Sequence, residues 1–168
     1  MNRWKIWIVV IGIVLCGVGC DQATKHVAKR TLQGKPIQGW FFNTFQLQYA
    51  ENPGAFLSLG SRLSTTWRFW IFLLIPGIVM AVVGMVALWP STLRLQERAL
   101  LACIVSGGTG NLLDRAFQEG YVTDFLHMGI GPLRTGVFNV ADVLIMIGAV
   151  GLILTNLFSY TRRTKESQ

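Results

Sequence analysis

The chain has 168 residues, 52% of them hydrophobic and only 14% charged, with a formal net charge of +7. Soluble domains carry about 25% charged residues, so the composition excludes an ordinary soluble globule and points to a membrane. The positive charge does not mark a nucleic-acid binder, because it sits at the termini and in loops: Arg3 and Lys5, Arg94 and Arg98, then Arg162, Arg163 and Lys165.

Four apolar runs follow one another along the chain. The first covers residues 6–20 and closes on Asp21. The second, residues 67–89, is uncharged apart from Arg68 and exceeds the roughly 20 residues that a helical crossing needs. The third, residues 99–113, is shorter and carries Ser106, Thr109 and Asn111, so it requires helical neighbours. The fourth, residues 137–158, contains Asp142. These runs predict an all-α membrane protein: four transmembrane helices in one integral-membrane domain over residues 1–168. Basic termini and a basic second loop place the N- and C-termini in the cytoplasm. Cys16, Cys20 and Cys103 fall within the spans and read as buried apolar thiols.

The loops carry their own signals. In the first, Gly34-Lys35-Pro36 predicts a turn. From Trp40 to Leu59 the chain is aromatic and partly alternating, with Phe41, Phe42, Phe45, Leu47 and Tyr49 among Asn and Gln, which predicts a small extracytoplasmic, β-rich, aromatic subregion of short strands at the membrane interface. The third loop holds Gly120, Gly129, Gly131, Pro132 and Gly136, and is expected to bend repeatedly.

Asp21, Asp114, Asp124 and Asp142 are the only aspartates in the chain. Acids at membrane depth are costly and mark function. With this topology all four collect at the outer boundary, together with Asn52, Asn111, Arg115 and Asn139. Asp21 and Lys25 are spaced as an i,i+4 ion pair, and Asn139 and Asp142 share a helix face. Two close carboxylates cannot both ionise, so one keeps a proton while the other activates water. That is aspartic-protease chemistry, and it needs neither metal nor cofactor. His26 and His127 are too few for a zinc protease of the H-E-x-x-H type. A Ser/Lys dyad is restricted to Ser58 or Ser61 with Lys25. The alternative function is a small ion- or proton-coupled transporter in which Asp124 and Asp142 relay protons.

These residues form five ordered motifs: Asp21-Gln22-x-x-Lys25, Asn52-Pro53-Gly54-Ala55-Phe56, Gly107-x-x-x-Asn111-x-x-Asp114-Arg115, Val122-Thr123-Asp124-Phe125 and Phe138-Asn139-x-Ala141-Asp142. In this order they resemble the lipoprotein signal peptidase (signal peptidase II) family of bacterial aspartic peptidases. The resemblance implies a catalytic dyad of Asp124 and Asp142, with Asp21, Lys25, Asn52, Gly54, Gly107, Asn111, Asp114, Arg115 and Asn139 shaping the site or holding substrate. It further implies cleavage of prolipoproteins just before a diacylglyceryl-modified cysteine, by a monomer among the lipids of the bacterial inner membrane, with the active site at the extracytoplasmic face. Val143 departs from the pattern, because the family usually has a small hydroxyl residue there. The Arg115–Asp124 stretch is one residue longer than the family leads one to expect.

Overall fold

The first helix outlasts its apolar run. In the computed structural model, which describes residues 2–54, 63–89 and 92–166, α1 (Arg3–Leu32) continues well past the expected end at residue 20. The reason is a second, narrower stripe: Asp21, Lys25, Ala28 and Leu32 recur at helical spacing and are all buried. The helix stops where Gly34 adopts a left-handed φ of 73°, a conformation that costs glycine nothing.

A short helix α2 (Thr65–Phe69), a π-helical turn (Trp70–Leu74) and α3 (Ile75–Leu88) form one rod. Pro76 explains the π turn. It lacks an N–H for the carbonyl of Phe72 and crowds it, so the hydrogen-bond ladder shifts register before α3 begins. α4 (Leu95–Phe117) and α5 (Val140–Glu166) complete the helices. α4 packs against α1, α3 and α5. Three helical stretches, Arg3–Leu32, Thr65–Leu88 and Val140–Ser159, are long and apolar enough to cross a membrane. Large apolar side chains such as Leu15, Ile78 and Met146 point away from the protein on these stretches.

Two expectations about individual residues are corrected. Arg98, counted above among the loop charges, is buried: Nη1 donates to the carbonyls of Ala87 (2.6 Å) and Trp89 (3.0 Å), and Nε to that of Leu93 (3.2 Å). It thereby satisfies carbonyls that the end of α3 leaves open. Cys16 and Cys20 are exposed on the surface of α1 rather than buried in the protein, and Cys103 is half-buried.

The β-structure is larger than expected and draws on two loops. β1 (Gln38–Trp40) and β2 (Phe45–Asn52) come from the first loop; β2 carries Phe45, Leu47 and Tyr49 as expected, whereas Phe41 and Phe42, with positive φ, form the turn after β1. β3 (Val122–Ile130) and β4 (Leu133–Arg134) come from the third, where glycines predicted only bends. The strands form one antiparallel sheet in the order β1-β2-β3-β4. Glycines misled because Gly129 and Gly131 define a hairpin end, leaving Val122–Met128 free to pair with β2. Ala28 and Leu32 of α1 pack against Phe125, Leu47 and Tyr49 and seat the sheet on the extended end of α1.

Candidate active site

The sheet brings Asp124 to the start of α5. Asp124 lies opposite Ala50 in the β2–β3 ladder, just after a register shift between Leu47 and Ala50. The chain then turns back through β4, and Phe138 pairs with β3. Its N–H donates to the Leu126 carbonyl (2.8 Å), and its own carbonyl accepts from Phe125 (3.0 Å) and Leu126 (2.8 Å). The next residue, Asn139, stands immediately before α5. Its Oδ1 accepts the N–H of Asp142 at 3.0 Å, and Asp142 Oδ2 accepts the N–H of Asn139 at 3.0 Å. This reciprocal pair is a capping box that holds the Asp142 carboxylate at the positive end of the helix.

Asn139 also reaches the other acid. Its Nδ2 donates to Asp124 Oδ1 at 2.7 Å, so one fully buried residue contacts both carboxylates. Asn52 Nδ2 donates to Asp124 Oδ2 at 3.0 Å, and Asn111 Nδ2 to Asp142 Oδ1 at 2.9 Å. Each oxygen of the pair thus accepts a hydrogen bond from an amide. Asp124 is 3% exposed, and that burial pushes its carboxyl up to about 6. The hydrogen bonds from Asn52 and Asn139 and the Lys25 charge oppose the rise, while the Asp142 charge adds to it.

A second layer supports these amides. Lys25 Nζ lies 2.7 Å from Asp21 and 3.1 Å from Asp114, and donates to Asn111 Oδ1 at 3.0 Å. Asp21 Oδ1 accepts the N–H of Ala141, and Asp114 accepts from the Thr123 N–H (2.9 Å) and Gln22 Nε2 (2.8 Å). Arg115 Nη2 donates to the Gly54 carbonyl at 2.8 Å, and the Gly54 N–H donates to Asn52 Oδ1 at 3.0 Å, which fixes the loop that presents Asn52. Gly107 permits α4 to approach α5, since a Cβ there would collide with the Ala141 carbonyl and the Ile145 side chain.

The four aspartates converge in one cluster with Lys25, Asn52, Gly54, Gly107, Asn111, Arg115 and Asn139. Asp114 pairs with Lys25, not with its neighbour Arg115. Lys25 makes the expected i,i+4 ion pair with Asp21 and a second ion pair with Asp114. Ala55 and Phe56 of the second motif, and the candidate serines Ser58 and Ser61, lie outside the described residues. His127 faces Gln46 on the sheet, its Nδ1 2.9 Å from Oε1. Val143, where the chain departs from the family pattern, is exposed, and its N–H donates to the Asn139 carbonyl at 3.3 Å. The Arg115–Asp124 stretch runs through the end of α4 and a turn in which Glu119 and Gly120 both have positive φ. Sequence reasoning missed Arg68, whose Nη2 donates to the Gly120 carbonyl (3.1 Å) and whose guanidinium lies 4.9 Å from the Tyr121 ring centre. As the single charge in the second run, it carried a signal.

Residues 13–158 match the family model described as signal peptidase (SPase) II. The chain belongs to the signal peptidase II family. The lipoprotein signal peptidase of Borrelia turicatae (strain 91E135) is 34% identical over 149 residues, 86% of each protein. That of Xylella fastidiosa (strain M12) is 33% identical over 159 residues, covering 91% of this chain and 89% of the relative. The fold resembles that of a bacterial membrane enzyme solved by the in meso method at 2.3 Å resolution, with a TM-score of 0.78, 23% identity and coverage of 91% and 90% of the two chains. Membership of the signal peptidase II family makes the chain an aspartic peptidase and leaves the transporter reading without support.

Proposed function

We propose that this membrane enzyme removes signal peptides from prolipoproteins, with Asp124 and Asp142 as its catalytic dyad. The observation that carries the reading is Asn139: a single buried residue donates to both carboxylates and caps the helix that bears one of them. Asp142, whose carboxylate caps the start of α5, takes a proton from the attacking water. Asp124, in the drier position, carries the shared proton, hydrogen-bonds the scissile carbonyl and then delivers the proton to the leaving nitrogen. The amides of Asn52, Asn111 and Asn139 hold both acids in place through the exchange. No covalent intermediate forms.

The substrate cysteine carries diacylglycerol, as the family resemblance implies, and the peptide enters sideways from the bilayer. α4 crosses as a fourth span: its 23 residues reach about 35 Å, and α1, α3 and α5 flank its polar groups. The chain is one peptidase domain that acts as a monomer in the inner membrane, with both termini in the cytoplasm and the dyad at the outer face.

The test is cleavage of a diacylglyceryl-modified prolipoprotein by the purified full chain. Asp124→Asn and Asp142→Asn should each lose activity on the order of 10³-fold while still inserting and folding. A precursor whose lipidated cysteine is replaced by serine should remain uncut. Near-normal turnover by either Asn variant would end the dyad assignment. Efficient cutting of the serine precursor would remove the lipid requirement.

A further inference from the structure

Every hydrogen of the Lys25 ammonium has an acceptor, and one of those acceptors is the amide that holds Asp142. Nζ lies 2.7 Å from Asp21 Oδ2, 3.1 Å from Asp114 Oδ2 and 3.0 Å from Asn111 Oδ1, and Lys25 is 3% exposed. An ammonium can only donate. The atom of Asn111 that faces it must be the carbonyl oxygen, which commits the other end of the amide to being a donor. That end, Nδ2, meets Asp142 Oδ1 at 2.9 Å. In the reversed orientation Asn111 would set its NH₂ against the ammonium and against Asn139 Nδ2, which also donates to Oδ1 at 3.1 Å. It would also turn a carbonyl toward a carboxylate.

Building on the dyad reading, we infer that Lys25 is a positioning residue for the catalytic step: through Asn111 it holds Asp142 in the geometry that activates water. Neutralising Lys25 requires only the acids. The third contact goes to an uncharged amide and leads to the dyad, which a purely structural ion pair has no need of. Lys25 also acts on the site by its field, which reaches Asp124 directly. The relay and the field are separable because only the relay passes through Asn111.

A double-mutant cycle separates them. kcat and KM are measured on a lipidated prolipoprotein for the full-length wild type, Lys25→Met, Asn111→Leu and the double variant, each normalised to folded enzyme. The relay predicts that Lys25→Met lowers kcat on the order of 100-fold, the cost of a misplaced catalytic group, with KM within about twofold. It also predicts that the loss in the double variant falls short of the product of the two single losses, the part beyond Asn111→Leu alone being the field. Losses that multiply in the double variant, or a near-normal kcat for Lys25→Met, would overturn it. Because Lys25→Met strands buried carboxylates, the cycle is repeated with Lys25→Met/Asp21→Asn, which removes one charge of each sign. Asp142→Asn is the control. If it turns over normally, the dyad reading itself fails; if it is inactive while the Lys25 variants keep their kcat, only the relay fails.

Discussion

Asp21 Oδ1 accepts the backbone N–H of Ala141 at 2.9 Å, joining the extended part of α1 to the first turn of α5. That N–H is among the donors a helix start leaves unpaired. The other oxygen of Asp21 holds Lys25. One carboxylate thus ties together the helix that carries Asp142 and the lysine behind Asn111.

Asp21→Ala should therefore orphan a buried amide and take one of three acceptors from a buried ammonium. The expected cost is about 3 kcal/mol or more, as for breaking one side of a buried ion pair. Asp21→Asn keeps an oxygen for Ala141 and should cost less. Unfolding of the purified variants in detergent ranks them, and equal stability for Ala and Asn would contradict the double attachment.

Gly107→Ala should wedge α4 from α5, because the new methyl meets the Ala141 carbonyl, which is backbone and cannot swing aside. Asn111, one turn further along α4, would be displaced from Asp142, so activity and stability should fall together. Gly77→Ala, in open space, should change neither. Melting temperature and turnover for both variants are the measurement, and a fully active, stable Gly107→Ala enzyme would rule out close packing as the role of this glycine.

Asp124 makes stability depend on pH in a stated direction. Its carboxyl titrates at about 6 in the folded protein against an ordinary 3.8, so the folded state holds the proton more tightly. The stability this contributes is fully present below about pH 4 and is lost as pH rises through 6, a swing of roughly 3 kcal/mol. Asp124→Asn has no such titration. The stability difference between wild type and variant should therefore move in favour of the variant between about pH 4 and 7. A difference that stays flat across that interval would contradict the assignment. Turnover should be bell-shaped, with limbs belonging to the coupled pair rather than to either acid.

Orientation is open to labelling. In a cysteine-free background, cysteines at Gln38 and Glu119, both exposed, should react with an impermeant reagent added outside intact cells, and one at Gln96 should not. The reverse pattern would put the dyad on the cytoplasmic side.

The sequence by itself determined the membrane class, the approximate places of the apolar helices and the polar residues that cluster around Asp124 and Asp142. Composition and the rarity of aspartate are local properties that no packing alters, and five ordered motifs mark one family. Alternation was enough to place β2, because a strand at an interface keeps its period of two, but it put Phe41 and Phe42 in a strand where they form the turn after β1. β3 was hidden because its glycines read as bends until β2 lay beside Val122–Met128. Partnership was hidden for the same reason. Asp114 stands next to Arg115 in the chain yet pairs with Lys25 in space, and Arg98 reads as a loop charge until the end of α3 offers it carbonyls. Charges and amides at a helix surface have many possible partners, and only the packed arrangement of α1, α4, α5 and the sheet selects among them. The bridge from Asp124 through Asn139 to Asp142 is the clearest case: its members are encoded along the chain, but their contact exists only once Phe138 has paired with β3.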